Sequence, residues 1–477
     1  LNVVKSEEGS TLNINGGKFT LDYAPSSGYT ATILVYGDTT ITGGEFIQNA
    51  KPKWGNPQVV MTGVVEGYTA ITKITGGTFT NKKSGDNIFH GLGKATSDNF
   101  EVSGGTFNKS ISDGYCADGF IPTKNADGTY GVKEGKYVAA VGSKKYETLA
   151  DAIRLAARGK TVKLLDDVTL DAAVKVPAGK TVTLDLNGKA LSTSENAADN
   201  TKHYYAIDNY GTFTLQDSST EQSGEIRARG IENFGGGKMV IKSGKIVAVD
   251  ANGGAAIWNL ADLTIEGGTF VTEHVGASGD TYGPGCVYNN AGTLTINGGT
   301  FTSANKRTYA VVSKSGAVTI EPAAGKNVEI SGAHGGLGID GGTATIKGGS
   351  YASSEYYGLY VSNDAGTAEV TVTGGTFDGN KYAVLIGSDG AGSVNSTLKI
   401  EGGTFNKPIH AQENTGTGAI QVSGGLFSSD VTKYCAEGLM AVTNTDSTTN
   451  TTYPYTIGEV PSASVTDIEE HTEAGAT

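Results

Sequence analysis

The chain has 477 residues, of which 71 are glycine, 10 are proline, 49 are acidic and 36 are basic, so its net charge is −13. Glycine is about twice as frequent as its ordinary usage of roughly 7%, yet no Gly-x-y period is present, which excludes a collagen triple helix. The negative charge, without any cluster of lysine and arginine, argues against a nucleic-acid-binding surface. No apolar run approaches the roughly 20 residues of a transmembrane helix, so we predict no membrane insertion for this segment.

Cysteine and histidine are sparse and show no metal-binding spacing. The three cysteines are Cys116, Cys286 and Cys435, and none of them or of the six histidines forms a CxxC or HExxH arrangement. Such spacings identify most zinc sites from sequence. We therefore predict neither a metal nor a cofactor.

A short phrase recurs along the chain. It consists of a β-branched residue, a polar residue, two glycines, a small or polar residue and an aromatic residue. Successive aromatic positions stand mostly about 20 to 33 residues apart, a period that is typical of solenoids and repeat arrays. The copies end at Phe19, Phe46, Phe79, Phe107, Phe270, Phe301, Tyr351, Phe377, Phe405 and Phe427.

Each repeat has the same internal order of short strands and corners. An alternating strand such as residues 293–296, in which Leu294 and Ile296 face one way, precedes the double glycine. The glycines supply a corner and the aromatic residue begins the next strand. Propeller blades need about 40 to 50 residues and leucine-rich repeats carry leucine at fixed offsets, neither of which is seen. We predict an all-β protein, a right-handed parallel β-helix built as two tandem modules.

One stretch, residues 146–159, shows a helical pattern. Leu149, Ala152 and Ile153 fall on one face, Thr148 is placed to cap the start, and the stretch ends at a glycine. A solenoid end exposes its core and needs a cover. We predict that this helix caps the start of the second module.

The ends of the two modules repeat one motif, Tyr-Cys-Ala-Asp/Glu-Gly, at residues 115–119 and 434–438. We predict a truncated β-helix module at residues 1–135 and a complete one at residues 136–458. Residues 459–477 are acidic and lack lysine and arginine, so we predict a linker or tail there.

These motifs together resemble modules of large surface or secreted proteins of gut Firmicutes, within the broad pectate-lyase-like superfamily. The resemblance rests on the cap sequence at 145–162, the Gly-Gly-Thr-Phe repeats and the Tyr-Cys-Ala-Asp/Glu-Gly closures, and it covers nearly the whole chain except the tail. It implies a right-handed parallel β-helix and an extracellular location, either at the bacterial cell surface or secreted. Fold does not determine activity, so the resemblance implies little about chemistry.

A second phrase, aliphatic-x-Asn, predicts a candidate site. Its aliphatic residues are expected to face the core, so the residues that follow them face outward. Neighbouring rungs of a β-helix are about 4.8 Å apart, which places these outward residues in one column. Two acids beside two aromatic rings suit a saccharide, because rings stack on sugar faces and carboxylates bind hydroxyls. We name Asp208, Glu232, Trp258 and Tyr288 the acidic-aromatic column and predict that they bind a ligand.

Other interpretations of the same residues stay open. The column is also compatible with an ordinary solvated sheet face. If the protein is an enzyme, Asp208 and Glu232 are the catalytic candidates, because adjacent rungs approach the carboxyl spacing of a retaining glycosidase. Arg227, Arg229 and His203 are expected near this face, where they would contact an acidic sugar.

The asparagines of the second phrase, in contrast, are predicted to be structural. Asn209, Asn233, Asn259 and Asn289 follow the inward aliphatic residue by two positions. At that corner their side chains are expected to form a ladder of amide hydrogen bonds inside the solenoid.

The sequence favours a non-enzymatic protein. We expect a segment of an extracellular bacterial surface protein that acts as a rigid stalk or adhesin and binds host or dietary glycans. One alternative is a polysaccharide lyase or glycoside hydrolase, although no dense acidic cluster for a catalytic calcium is apparent. A second alternative is self-association into a fibre or surface layer, since solenoid edges can stack.

Overall fold

The protein divides into two compact units, Leu1–Tyr137 and Val138–Thr477. The computed structural model describes residues 1–25, 29–51, 56–83, 85, 87–194, 205–249, 254–273, 285–388, 394–416 and 418–461. Within these residues the protein is nearly all β, and its two units together contain about 15 turns of parallel β-solenoid. The predicted β-helix fold is confirmed. Most of the predicted acidic tail, residues 462–477, lies outside the described residues.

Unit 1 contains three sheets of short, stacked strands. Successive strands of each sheet come from successive turns and pair in parallel, and a terminal antiparallel hairpin is added to the third sheet. The first sheet contains Asn2–Ser6, Ala31–Val35, Gln58–Val64 and Phe89–Gly93. The second contains Thr11–Ile14, Asp38–Ile41, Thr72–Ile74 and Phe100–Val102. The third contains Lys18–Leu21, Glu45–Gln48, Thr78–Asn81, Thr106–Phe107, Phe120–Lys124 and Tyr130–Glu134.

Unit 2 repeats this plan with longer stacks, which we name the cap sheet, the ring sheet and the ladder sheet. The cap sheet contains Ala139–Val141, Lys144–Tyr146, Lys160–Leu164, Thr181–Asp185, Thr212–Gln216, Lys238–Ile241, Asp262–Ile265, Thr293–Ile296, Ala317–Ile320, Gly342–Ile346, Ala368–Val372, Thr397–Ile400 and Ile420–Val422. The ring sheet contains Val168–Leu170, Ala190–Thr193, Glu225–Ala228, Lys245–Ala248, Thr269–Thr272, Gly299–Ser303, Val328–Gly332, Ser350–Ser353, Thr376–Gly379, Thr404–Phe405, Leu426–Phe427, Leu439–Thr443 and Tyr455–Glu459. The ladder sheet contains Val174–Val176, Ile207–Asn209, Ile231–Asn233, Ile257–Asn259, Val287–Asn289, Tyr309–Ser313, Gly335–Ile339, Tyr357–Val361, Tyr382–Ile386 and Ile409–Ala411.

The repeated aromatic residues stack as buried rings inside each unit. In unit 2 the ring centroids of Phe270 and Phe301 lie 4.6 Å apart with an interplanar angle of 8°. Those of Tyr351 and Phe377 lie 4.7 Å apart at 9°. The second glycine before each ring, such as Gly375 with a φ of 106°, adopts a conformation that other residues rarely reach. The glycine corners therefore let every turn deliver a ring to the same place in the core.

The predicted amide ladder is confirmed. Asn209, Asn233, Asn259 and Asn289 are fully buried. In three successive hydrogen bonds of 2.7 Å, the side-chain Nδ2 of each asparagine donates to Oδ1 of the next. Asn289 continues the ladder by donating to Oγ of Ser313 at 3.0 Å. These bonds run along the stack and hold successive turns in register.

The predicted cap helix is present but shorter than residues 146–159. It runs Leu149–Leu155, and the side chain of Thr148 accepts a hydrogen bond of 3.1 Å from the amide three residues on. Tyr146 instead ends a strand that pairs antiparallel with the first strand of the unit, so it is not available to a helix. At Ala156 a ψ of 134° ends the helix before the predicted glycine. In the described part of the chain no helix is long and apolar enough to cross a membrane.

Both units end in the same arrangement, a short 3-10 turn followed by a hairpin. The second strand of each hairpin pairs antiparallel with the last strand of the stack, which places Phe107 opposite Tyr130 and Phe427 opposite Tyr455. These hairpins cover the final ring of each stack. The 3-10 turns of the closures are Asp113–Tyr115 and Thr432–Tyr434, and a further one spans Ser97–Asn99.

Candidate functional site

The four residues of the acidic-aromatic column lie side by side on the outer face of the ladder sheet. The strand register pairs Asp208 with Glu232, Glu232 with Trp258, and Trp258 with Tyr288. Each lies between two fully buried residues of its own strand and is itself half-buried. This alternation follows from the period of two in a β-strand, which sends neighbouring side chains to opposite faces. The structure therefore brings all four predicted site residues together.

The aromatic half of the column is a pair of contacting rings. The ring centroids of Trp258 and Tyr288 lie 4.4 Å apart, with an interplanar angle of 33°. Both rings are half-buried, so part of each faces solvent. Together they offer an apolar surface edged by polar atoms, the combination that ligand sites use aromatic residues for.

The acidic half of the column consists of two carboxyl groups whose pKa values are raised. Burial raises the pKa of Glu232 to about 7, and the neighbouring charge of Asp208 adds to this rise while Arg229 opposes it. Burial also raises the pKa of Asp208, against the opposing charge of Lys175. Two half-buried carboxyls on adjacent rungs repel one another when both are ionised. Near neutral pH, Glu232 is therefore divided between its protonated and ionised forms.

A second aromatic pair lies beside the acids and was not predicted from the sequence. The rings of Tyr210 and Phe234 stack in parallel, with centroids 4.3 Å apart and an interplanar angle of 7°. Burial, followed by the negative charges of Asp208 and Glu232, raises the pKa of Tyr210. The signal was present, because both residues directly follow a ladder asparagine and so occupy equivalent places in the repeat.

The two arginines expected near the column differ in position. Arg229 is close enough to Glu232 to oppose the rise in its pKa, and its guanidinium lies 5.1 Å from the centre of the Tyr205 ring. Arg227 belongs to the ring sheet, where it makes two hydrogen bonds to Glu273 of 3.0 Å and 2.5 Å. Arg227 is thus engaged away from the acids. The third residue expected here, His203, lies outside the described residues.

Beyond Tyr288 the outer face of the ladder sheet remains largely apolar. The same column continues through Val312, Gly338, Tyr360, Leu385 and His410. A separate cluster forms on it, outside the main core, from Tyr309, Val312, Tyr360 and Leu385, with Tyr288, Tyr357 and Tyr382 packed against it. We name these seven residues the tyrosine cluster. The predicted column is therefore one end of a longer aromatic surface.

The raised pKa of Glu232 predicts a pH-dependent stability. The folded protein holds the proton of the Glu232 carboxyl more tightly than the unfolded chain does. The contribution of this proton to the free energy of unfolding is therefore fully present below about pH 4.5 and is lost as the pH rises through about 7. We expect the thermal midpoint of the wild type to fall, relative to that of Glu232→Gln, between roughly pH 5 and pH 8. Circular dichroism melts of both proteins across this range make the comparison.

The matched control for this titration is Glu329→Gln, which removes an exposed carboxyl from the ring sheet. Its melting curve is expected to follow that of the wild type at every pH. A constant difference between wild type and Glu232→Gln from pH 5 to 8 would contradict a titration of Glu232 in this range.

The column offers carboxyl oxygens next to apolar ring faces, which are the groups that match the hydroxyls and the apolar faces of a hydroxyl-rich ligand. Among the described residues, no group of three or more histidine, cysteine or acidic side chains is placed to hold a metal ion. The chain matches no protein-family model, and neither a curated protein nor a solved structure shows significant similarity to it.

Proposed function

We propose that this chain is a segment of an extracellular bacterial surface protein, a rigid stalk or adhesin that binds host or dietary glycans through the acidic-aromatic column. The observation that carries the proposal is the contacting ring pair of Trp258 and Tyr288 in register with Glu232. The column of rings and acids is partly buried, as a binding surface is, and yet remains accessible from solvent.

The architecture supports the role of a stalk. The cap sheet of unit 2 has 13 strands, which at a spacing of about 4.8 Å extend over roughly 55 Å. Backbone hydrogen bonds along this direction are reinforced by the buried amide ladder. A stiff stack suits a protein that holds a binding face away from an anchor.

The assignment to a bacterial surface protein has a different support, the resemblance of the repeats and closures to surface or secreted modules of gut Firmicutes in the pectate-lyase-like superfamily. Glycans are abundant ligands in that setting. The low proportion of charged residues, 18%, and the acidic net charge also suit a protein that does not bind nucleic acid.

An enzymatic function is the second candidate, because the electrostatics of the two acids favour it. A glycosidase needs one carboxyl that is protonated near neutral pH and another that is ionised. Burial and Asp208 raise the pKa of Glu232 to about 7, which suits a general acid. Burial also raises the pKa of Asp208, but the charge of Lys175 on the adjacent rung opposes that rise and favours the ionised form. In this alternative Glu232 protonates the leaving oxygen and Asp208 is the nucleophile.

Self-association has weaker support. Open solenoid ends and edges promote stacking. Here an antiparallel hairpin covers the last strand of the ring sheet in unit 2, and an equivalent hairpin does so in unit 1. Sedimentation at several protein concentrations would detect assembly through other surfaces.

A glycan array screened with the purified chain tests the proposed function. We expect binding to at least one glycan class, reduced by about tenfold or more in the variant Trp258→Ala/Tyr288→Ala because the ring platform is lost. The matched control is Tyr23→Ala/Tyr68→Ala, which removes two exposed rings, 70% and 49% accessible, from unit 1.

Assays for reducing ends and unsaturated products on every bound glycan separate the two candidate functions. Binding without turnover supports the adhesin. Turnover that is abolished in Asp208→Ala would favour the enzymatic function over the adhesin. Equal binding by wild type and the Trp258→Ala/Tyr288→Ala variant would contradict a role for the column.

A further inference from the structure

A cavity of about 620 Å³ opens on the outer face of the ladder sheet, next to Tyr288. It crosses three successive strands, Tyr309–Ser313, Gly335–Ile339 and Tyr357–Val361. We name it the tyrosine cleft. Cavities of roughly 300–1,000 Å³ are the usual size for sites that hold a small ligand.

Two buried tyrosines, Tyr309 and Tyr360, form the floor of the tyrosine cleft. Tyr309 lies across the glycine strand so closely that a Cβ at Gly335 would come within 2.1 Å of its ring, and a Cβ at Gly338 within 2.8 Å. Tyr309 also stacks in parallel with Tyr360, at a centroid distance of 5.3 Å and an interplanar angle of 4°. The two tyrosines are only 9% and 4% exposed. The floor is thus a packed aromatic layer in a fixed position.

One wall of the cleft ends in an accessible ring. His334 packs edge-on against Tyr309 at 5.1 Å, and its Nδ1 donates a 3.0 Å hydrogen bond to the carbonyl of Lys306. The ring of Tyr356 lies 4.8 Å from that of His334 and is 37% exposed. Tyr356 is therefore held by its neighbour while part of its ring remains open to a ligand.

A polar pair marks the opposite end of the cleft. Lys314 forms an ion pair with Asp340, a carboxylate that is only 5% exposed. The other oxygen of Asp340 accepts a hydrogen bond of 3.0 Å from Ser362. This arrangement fixes a donor and an acceptor side by side at the edge of an apolar floor. Adjacent hydroxyls of a sugar ring match such a pair, since each hydroxyl both donates and accepts.

The remaining charges balance one another. Lys306 lines the cleft and forms a 3.1 Å ion pair with Glu355, while Arg307 and Asp364 add one charge of each sign. Three cations and three carboxylates together leave no formal charge. A strongly acidic or basic ligand would have to displace existing ion pairs, whereas a neutral ligand would not.

We propose that the tyrosine cleft binds a neutral hexopyranose residue at its Tyr356 end. The sugar ring lies against Tyr356, and the Lys314–Asp340 pair at the opposite end of the same strands bonds hydroxyls of a further sugar when the ligand is a longer glycan. This site goes beyond the glycan site proposed for the acidic-aromatic column. Tyr288 of the column also lines the cleft, but the side chains proposed to hold the sugar are others, so the site does not depend on the column being functional.

Titration of the full chain with simple glycosides tests this site. The probes are methyl glycosides of glucose, galactose, mannose, N-acetylglucosamine and N-acetylgalactosamine. Their binding is measured by saturation-transfer NMR and calorimetry. We expect at least one to bind, and its dissociation constant to rise by about tenfold in Tyr356→Ala. The same glycoside is expected to bind unchanged to Trp258→Ala, and to Tyr23→Ala, the matched control in unit 1.

A second measurement does not require the Tyr356→Ala variant to fold. In wild-type protein labelled with fluorotyrosine, the bound glycoside is expected to shift the ¹⁹F resonances of Tyr356 and Tyr309, assigned from their phenylalanine variants. The proposal is overturned if no glycoside binds, if Tyr356→Ala binds normally, or if binding is lost only in Trp258→Ala. Tighter binding of methyl glucuronide or of methyl glucosaminide than of every neutral glycoside would overturn the assignment of a neutral ligand.

Discussion

Replacement of Asn233 by alanine is expected to lower the free energy of unfolding of unit 2 by about 3 kcal/mol. Asn233 is fully buried and lies in the middle of the amide ladder. Its Oδ1 accepts from Asn209, and its Nδ2 donates to Asn259 and to the backbone carbonyl of Asp262. The substitution removes all three bonds and leaves a void in a fully buried site, where the groups that lose a partner are costly to leave unsatisfied.

The control for this substitution is Asn380→Ala, which removes an exposed asparagine from the same unit. A change within about 0.5 kcal/mol is expected there. Guanidinium chloride unfolding is the measurement, combined with amide hydrogen exchange near Asn209 and Asn259, because long repeat stacks need not unfold in one step. A similar, small loss in both variants would contradict a stabilising role for the ladder.

The second large effect is expected for Phe377→Ala, which should cost about 3 to 5 kcal/mol. The Phe377 side chain is fully buried, and its ring stacks between Tyr351 at 4.7 Å and Phe405 at 5.1 Å. Alanine leaves a cavity in the ring stack that neighbouring turns cannot close, because their positions are fixed by backbone pairing on both sides.

Phe377→Leu is the control, since leucine refills much of the volume and keeps the site apolar. Its loss of stability, measured in the same unfolding experiment, is expected to be less than half that of Phe377→Ala. Equal losses in the two variants would show that the ring stack itself, rather than the cavity, determines the stability of this turn.

The repeat made most of the fold predictable from the chain alone. In a solenoid, residues at equivalent places of successive repeats become neighbours in space, so alignment of repeats is equivalent to strand register. For this reason the ring stack, the amide ladder and the column from Asp208 to Tyr288 could all be predicted before the structure was known. Tyr210 and Phe234 could have been found in the same way.

Structure outside the repeat could not be predicted by aligning the repeats. The cap helix spans only Leu149–Leu155, because Tyr146 is taken by an antiparallel strand that has no counterpart in the repeats. Likewise, Arg227 was expected near the acids, but it lies on another sheet and pairs with Glu273. Neither the antiparallel strand that contains Tyr146 nor Glu273 belongs to one of the repeated phrases. The spacing of the repeats therefore could not indicate these two pairings.

The sequence by itself determined the β-helix, its corners, its buried ladder and the membership of the acidic-aromatic column, because all of these repeat with the turn. Only the tertiary structure decided how far each column residue is buried, and hence that the pKa of Glu232 rises to about 7. It alone also formed the tyrosine cleft, where Tyr309 occupies the space left by Gly335 and Gly338. The cleft is formed by different residue types on successive turns. Contacts between unlike residues do not recur with the repeat, so the sequence shows no pattern that predicts them.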